Sequence, residues 1–260
     1  MPHTFTAHNI DLGNGVRTKP EIPHLLEDEP WFTSAKRMLN RLFPGDKSNL
    51  RLADLGCLEG GFAVGFARMG FQTLGIEVRA ENFEKCRFVQ EQLNFPNLEF
   101  AHDNAWNLWK YGQFDAIFCS GLLYHLDRPF EFMKLMHRHV RHVLFINTHF
   151  TTATSKGRHP LSDQFSELCE NEGLQGRWYN EFPDDASFAA REAFPWSSWD
   201  NRNSFWVRRE YLLHALQEIG FDIVLEQFDA IGPEIRQSMI DGFYFKEDRS
   251  LFVAMKSGLS

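Results

Sequence analysis

The sequence predicts an α/β fold: a mostly parallel seven-stranded sheet, doubly wound with helices on both faces and closed by an antiparallel last strand. Three observations predict it. From about residue 50, short β-rich runs alternate with amphipathic helical stretches, the pattern of a parallel sheet covered on both sides. The first of these runs opens into a glycine-rich turn, and the chain closes with one helix followed by two strand-like runs. The 260 residues, 43% of them hydrophobic, are enough for a substantial core.

The stretch "LRLADLG" (50–56) is the first strand. "GFAVGFARMG" (61–70) follows as a helix, because Phe62, Val64, Phe66 and Met69 recur at mixed three- and four-residue spacing and Gly70 ends the run. "FQTLGIEV" is the second strand, "RAENFEKCRFVQEQLN" the second helix, and "LEFAHDN" the third strand with its exit loop. "FDAIFCS" is the fourth strand and leads through "GLLYHLDRP" into the helix "FEFMKLMHRHV"; "HVLFINT" is the fifth. Order then lapses. Residues 151–206 are rich in Trp, Phe, Asn, Asp, Pro and Gly without periodicity and read as an insertion. In "VRREYLLHALQEIG", Tyr211, Leu212, Ala215, Leu216 and Ile219 make one helical face ahead of Gly220. "FDIVLEQFD" and "SLFVAMK" complete the sheet, with "GFYFKEDR" in the loop between them. The organisation expected is an N-terminal helical lid (1–47), with Trp31 and Phe32 on a helix folded over a pocket, a ligand-binding core (48–150), a substrate cap (151–206) and the completion of the core (207–260).

Charge and cysteine usage narrow the function. A formal charge of −8, from 35 acidic and 27 basic residues, disfavours a broad nucleic-acid face and favours small-molecule chemistry. Cys57, Cys86, Cys119 and Cys169 show no CxxC spacing and read as reduced thiols in a cytoplasmic protein. No run approaches the ~18 apolar residues of a membrane span. The cluster "HRHVRH" (137–142) lacks the spacing of a zinc site and reads as a solvated helix end, so no metal is expected. The 26 phenylalanines and seven tryptophans exceed what such a core needs, which leaves aromatic surface for a pocket.

Ligands of open α/β sheets sit at the carboxyl ends of the strands, near the topological switch point. Four strand ends carry informative residues here. "ADLGCLEGGF" (53–62) places Asp54 at a strand end, followed by Gly56, Gly60 and Gly61. The second strand ends in Glu77, where an acid accepts hydrogen bonds from ribose hydroxyls. Asp103 and Asn104 follow the third strand and suit an exocyclic amine of adenine; Cys119, Ser120 and Gly121 follow the fourth. A dinucleotide fingerprint needs glycine at position 58, and the turn has Leu58 and Glu59 instead. A ligand with ribose and base but no pyrophosphate fits better, and a cation tolerates Asp54 and Glu59. An adenosyl sulfonium meets both conditions.

"LADLGCLEGG", then "GIE", "HDNAW" and "FDAIFCSGLLYHL", resemble the ordered motifs of class I S-adenosylmethionine-dependent methyltransferases, a Rossmann-like family whose final hairpin the last helix and two strands also resemble. The resemblance covers roughly residues 48–150 and 207–256. It implies S-adenosylmethionine as cofactor and S-adenosylhomocysteine as product. It further implies that Gly56 and Gly60 let the loop approach the methionine portion with Asp54 in support, that Glu77 binds ribose, that Asp103 and Asn104 flank adenine, and that Cys119 and Ser120 offer backbone groups to the amino end. Cys57, Leu58, Val78 and Ala105 complete the cofactor set. Leu58 departs from the family, which often has glycine there.

Methyl transfer is an in-line displacement, and alignment supplies several kcal/mol, an order-of-magnitude share of its barrier. A base is optional. His125, at the fourth strand's exit, reads either as that base or as a histidine shaping its loop, and His149 as a second candidate base or a surface histidine. Tyr124 either contacts substrate or packs inward. In "FPWSSWDNRNSFW" (194–206), Trp196, Trp199, Asn203 and Trp206 either line a pocket for a flat or cationic molecule or anchor the insertion. The expectation is methyl transfer to oxygen or nitrogen of a small, aromatic metabolite. The alternatives are a tRNA wobble-uridine-modifying transferase, because "GLLYHLDRPF" is similar to a segment of the carboxymethyl-transferring family, and a nicotinamide-dependent oxidoreductase. Oligomeric state is open.

Overall fold

The computed structural model describes residues 3–156, 159–183, 185–194, 196–231, 234, 236, 244 and 247–258. A small hairpin, β1 (Asp11–Gly13) and β2 (Val16–Arg17), precedes helix α1 (Pro30–Leu42). The core then runs β3 (Arg51–Leu55), α2 (Gly61–Arg68), β4 (Gln72–Glu77), α3 (Ala80–Leu93), β5 (Leu98–His102), β6 (Phe114–Ser120), α4 (Pro129–His139) and β7 (Val140–His149). After β8 (Cys169–Asn171), β9 (Leu174–Asn180), α5 (Phe188–Glu192) and β10 (Asn203–Val207), it closes with α6 (Arg209–Glu218), β11 (Ile223–Glu226) and β12 (Arg249–Met255). Of "GFYFKEDR", only Tyr244 and residues 247–249 lie within the described residues.

The main sheet has the order β11-β12-β7-β6-β3-β4-β5. β3, β4, β5, β6 and β7 pair in parallel, while β12 runs antiparallel to both β7 and β11. The seven strands and the antiparallel closing strand are those predicted.

Strand alternation gives the sheet two apolar faces, each needing its own cover. On one face Ala116, Phe118, Val143, Phe145, Leu251 and Val253 pack with Phe32 of α1 and with Phe62 and Phe66 of α2. On the other, Ile117, Leu144, Ile146, Phe252 and Ala254 pack with Phe132 and Met136 of α4 and with Leu212, Ala215 and Leu216 of α6. Strand direction from β3 is continued to one side by β4 and to the other by β6, so the switch point falls between the ends of β3 and β6.

The helix holding Trp31 and Phe32 exists: Phe32 is fully buried against the rings of Phe62 and Phe66, while neighbouring Trp31 borders a cavity. One segment differs from expectation. Residues 151–206 are not irregular throughout: β8, β9 and β10 form a separate antiparallel sheet of order β10-β9-β8. β10 continues to Val207, one residue past the boundary read from the sequence. Gly176 and Val207 pair across that sheet, where bulky Phe205 and Trp206 break the helical spacing and hide the strand in composition. The cap is tied to the core by the Phe205 amide, which donates to the Leu126 carbonyl at 2.8 Å, and by the Thr151 amide on Val207 at 2.9 Å.

Candidate functional site

A cavity of about 360 Å³ opens over the carboxyl ends of β3, β4, β5 and β6. Its base comprises Gly56 and Leu58 from the β3 turn, Glu77 at the end of β4 and Val78 just after it, Asp103 to Ala105 after β5, and Ser120 at the end of β6. All eight were read from the sequence as cofactor-binding.

The β3 turn is wound tightly. Gly56 has φ 67° and its missing side chain would point at Leu122, so the backbone forms cavity wall there. Leu58, the departure from the family pattern, holds φ 53°, a left-handed conformation that glycine adopts without cost and leucine does not. Its amide donates to Glu77 Oε2 at 2.9 Å, and the Arg79 amide donates to Glu77 Oε1 at 2.8 Å. Glu77 therefore ties β4 to the turn while standing in the cavity wall. Burial pushes Glu77 up to about 7, against the pull of those two amides.

Asp54 lies under the turn, outside the cavity wall, with Oδ2 lacking any hydrogen-bond partner. Burial pushes it up to about 8; the Ala63 amide opposes the rise and neighbouring Glu77 adds to it. Glu77 is the carboxyl group in the wall here, with Asp54 beneath it, and a cation at this end of the cavity would favour their ionised forms. An adenosyl sulfonium with its amino group is such a cation, and its ribose hydroxyls fit the remaining lone pairs of Glu77.

Other residues sit differently from their expected roles. Glu59 does not face the cavity: fully buried, it accepts the Thr6, Ala7 and His8 amides at 2.6, 3.0 and 2.8 Å and pairs with Lys85 at 3.3 Å. Its charge thus anchors the N-terminal segment and gives no information about a phosphate. Gly60 (φ 81°) is also behind the turn, where a side chain would strike the Phe100 ring at 2.6 Å. Cys57 and Cys119 are buried and outside the wall, Cys57 3.9 Å from Cys86 Sγ. All four cysteines are free thiols.

Asp103 borders the cavity, but its carboxylate turns to its own loop, accepting from Asn107, Tyr111 and Lys110 at 2.6, 2.9 and 3.0 Å. Burial works against ionisation and these bonds outweigh it, holding Asp103 at about 2. Asn104 Oδ1 caps the Trp106 amide at 3.0 Å.

The opposite wall mixes core and cap. Tyr124, His125 and Arg249 come from the core; Trp196, Ser197, Ser198, Trp199 and Asp200 come from the cap; Ala7, His8, Glu29 and Trp31 come from the N-terminal segment. Asn203 and Trp206 are absent from it. Trp206 is instead the buried hub of the cap, stacked 4.8 Å from His149 and edge-on to Phe165. His149 is sealed behind Tyr124, with Nδ1 2.7 Å from the Glu247 carbonyl, and burial holds its pKa well below the usual imidazole range. It is neutral and away from the cavity. The "HRHVRH" segment divides between the last turn of α4 and the start of β7, and Arg141 Nη1 lies 3.4 Å from Asp115. Among the described residues no group of three His, Cys, Asp or Glu is placed to hold a metal, and no helix is long and apolar enough to cross a membrane.

The methyltransferase domain model matches residues 28–226, most of the chain. The chain belongs to the class I methyltransferase family. S-adenosylmethionine is that family's cofactor, as the sequence implied. The N-terminal domain of EvdMO1, crystallised with S-adenosylhomocysteine and D-fucose, is 24% identical, with TM-score 0.65 over 95% of this chain and 90% of that one. Magnesium protoporphyrin IX methyltransferase of Synechocystis, with bound S-adenosylhomocysteine, is 14% identical, with TM-score 0.53 over 87% and 83%. At such identities they share the fold. A tRNA U34 carboxymethyltransferase of Campylobacter hominis is 30% identical over 116 residues, 44% of this chain; the match spans 40% of that enzyme, well under half its length.

Three residues of this class I methyltransferase fold were not legible as site residues. His8 lines the cavity and its Nδ1 accepts the Gly61 amide at 3.0 Å, capping α2; burial lowers it to about 4, so it is neutral. Arg79 follows Glu77 by two positions. Its Nη1 donates to the carbonyls of Arg191 and Glu192, both at 2.7 Å, and its Nη2 to those of Ser197 and Ser198 at 2.9 and 3.2 Å. Glu181, at the end of β9, lies 2.7 Å from His125 Nδ1. Each depends on a partner 50 residues or more away in sequence, and no local motif announces such a pairing.

Proposed function

We propose that this chain transfers a methyl group from S-adenosylmethionine to oxygen or nitrogen of a small, aromatic metabolite. One observation carries the reading: a single cavity joins Gly56 and Glu77 to Tyr124, His125, Trp196 and Trp199. When bound, S-adenosylmethionine supplies an electrophilic methyl group on a sulfonium. Glu77 accepts the ribose hydroxyls, and Gly56 and Leu58 let backbone approach the methionine portion. Asp103, Asn104 and Ala105 border the adenine end, where the loop is stiffened by its own side chains rather than by a free carboxylate. Val78 and Ser120 complete that wall. Tyr124, Trp196 and Trp199 give flat apolar surfaces suited to an aromatic acceptor and exclude water from it. His125 takes the acceptor's proton. A cytoplasmic setting suits the four free thiols.

Calorimetric titration with S-adenosylhomocysteine tests the cofactor half of the reading, with micromolar binding expected and no binding by folded protein contradicting it. Transfer of labelled methyl from S-adenosylmethionine to a small-molecule cell extract tests the acceptor half. Label appearing only in tRNA, with steeply salt-dependent binding, would replace the metabolite by the substrate class of the Campylobacter hominis relative. In His125→Gln, turnover should fall by roughly 100-fold with cofactor affinity unchanged.

A further inference from the structure

Resting on the methyltransferase reading above, we propose that Glu181 is the positioning residue of the active site, a cap carboxylate that fixes the tautomer of the core's His125. The argument is geometric. Glu181 is buried, its side chain only 2% exposed, and Oε1 lies 2.7 Å from His125 Nδ1. The same carboxylate accepts the Ser204 hydroxyl on Oε1 at 2.8 Å and the Ser198 amide on Oε2 at 3.2 Å. With two donors already directed at it, the carboxylate acts as an acceptor, and Nδ1 must be the nitrogen that carries hydrogen. Nε2 is then left as a lone pair. Among the described residues nothing hydrogen-bonds Nε2, and His125 lines the cavity.

An imidazole in this state can receive a proton but not give one. The acceptor must therefore carry a hydroxyl or N–H. Its proton passes to His125 Nε2, its oxygen or nitrogen forms the bond to the methyl carbon, and the carbon–sulfur electron pair remains on sulfur, turning the sulfonium into a thioether. The imidazolium so formed is neutralised by Glu181 through Nδ1–H. Because Glu181 belongs to the cap and His125 to the core, the base is complete only when the cap is seated.

The substitution Glu181→Gln tests this sharply. A backbone amide cannot reverse its polarity, so the carboxamide oxygen stays on Ser198 N–H and the NH2 group faces His125. Nδ1 is then forced to accept, and hydrogen moves to Nε2. The ring-nitrogen resonances of His125 in 15N-labelled, ligand-free protein, assigned by their loss in His125→Gln, read the tautomer directly. Expected are Nδ1–H in the wild type and Nε2–H in Glu181→Gln, with turnover down roughly 100-fold and affinity for S-adenosylhomocysteine unchanged. Ser204→Ala removes a neighbouring bond to the same oxygen and should keep both Nδ1–H and near-wild-type turnover. Nε2–H in the wild type, Nδ1–H retained in Glu181→Gln, or equal losses in Ser204→Ala would each overturn the proposal. Failure of the wild type to bind S-adenosylhomocysteine would instead sink the methyltransferase reading, leaving the tautomer result standing by itself.

Discussion

Single side chains at the β3 turn divide between holding a guest and holding the fold. Glu77 ties β4 to the turn and stands in the cavity wall; in the proposed ribose-binding role, Glu77→Ala should weaken S-adenosylhomocysteine binding by roughly 1–3 kcal/mol, measured by calorimetry. Its protonation gives a second handle. In the free protein Glu77 and Asp54 titrate near 7 and 8, above their unfolded values, so the folded state holds extra protons between about pH 4 and 8 and their contribution to stability falls as pH rises through that window. His8 has the opposite sign: lowered to about 4, it favours folding increasingly from pH 4 upward to its unfolded value. A cationic guest stabilises the ionised carboxylates, so binding of S-adenosylmethionine should tighten roughly tenfold from pH 6 to pH 8, with proton release detected by calorimetry in buffers of different ionisation enthalpy. An affinity flat in pH would separate Glu77 from the cofactor. Gly60 belongs to the fold instead: Gly60→Ala drives a methyl into Phe100 at a left-handed position and should cost about 1–3 kcal/mol in urea unfolding. Sequence could place Gly56, Glu77 and Asp103 along the cavity because each lies at a strand end on that edge of the sheet. It could not tell that Glu59 and Gly60, within ten residues of Asp54, lie outside the cavity wall, because the direction a side chain takes in a left-handed turn is not written in its spacing.

Whole segments are fastened to the sheet by buried polar contacts rather than by apolar burial alone. The N-terminal segment is held at Thr6, Ala7 and His8 by one carboxylate, and the Glu59–Lys85 pair is buried on both sides. Lys85 keeps Glu81 at 3.0 Å, but the Thr6, Ala7 and His8 amides lose their acceptor, so Glu59→Ala should destabilise by about 3–5 kcal/mol and raise amide exchange in residues 6–8. The cap has its own fastening in Arg79. Arg79→Lys keeps charge but loses the planar fork that reaches four carbonyls, and exchange protection should fall across residues 191–198 while the main sheet stays protected. The sequence predicted every strand of the sheet and helices α2, α3, α4 and α6, whose periodicity is set by burial against one surface. It missed the cap's strands β8, β9 and β10, since short antiparallel strands set among tryptophans and glycines lack an alternation long enough to register.

Across the whole molecule, the phenylalanine excess that hinted at a pocket has a more structural destination. Phe32, Phe62, Phe66, Phe118 and Phe145 form a continuous chain of tilted and edge-on ring contacts from α1 through α2 into the sheet, with centroids 5.0 to 6.3 Å apart. Phe118→Ala should cost about 3–5 kcal/mol of stability in urea unfolding, and because its ring packs 5.2 Å from that of Phe62, a cavity-lining residue, the loss is felt at the wall as well. That core fixes the strand ends, and the strand ends fix where Gly56, Glu77 and Ser120 meet. Arg79 carries a longer-range implication. Its hydrogen bonds fall on main-chain oxygens at 191, 192, 197 and 198, with the Glu192 carboxylate 4.0 Å away as an added ion-pair partner, so exchanging exposed Phe194 and Trp196 leaves those bonds in place. In the proposed role of the cap, its exposed side chains can therefore be exchanged to alter acceptor preference while its seating over the sheet is kept.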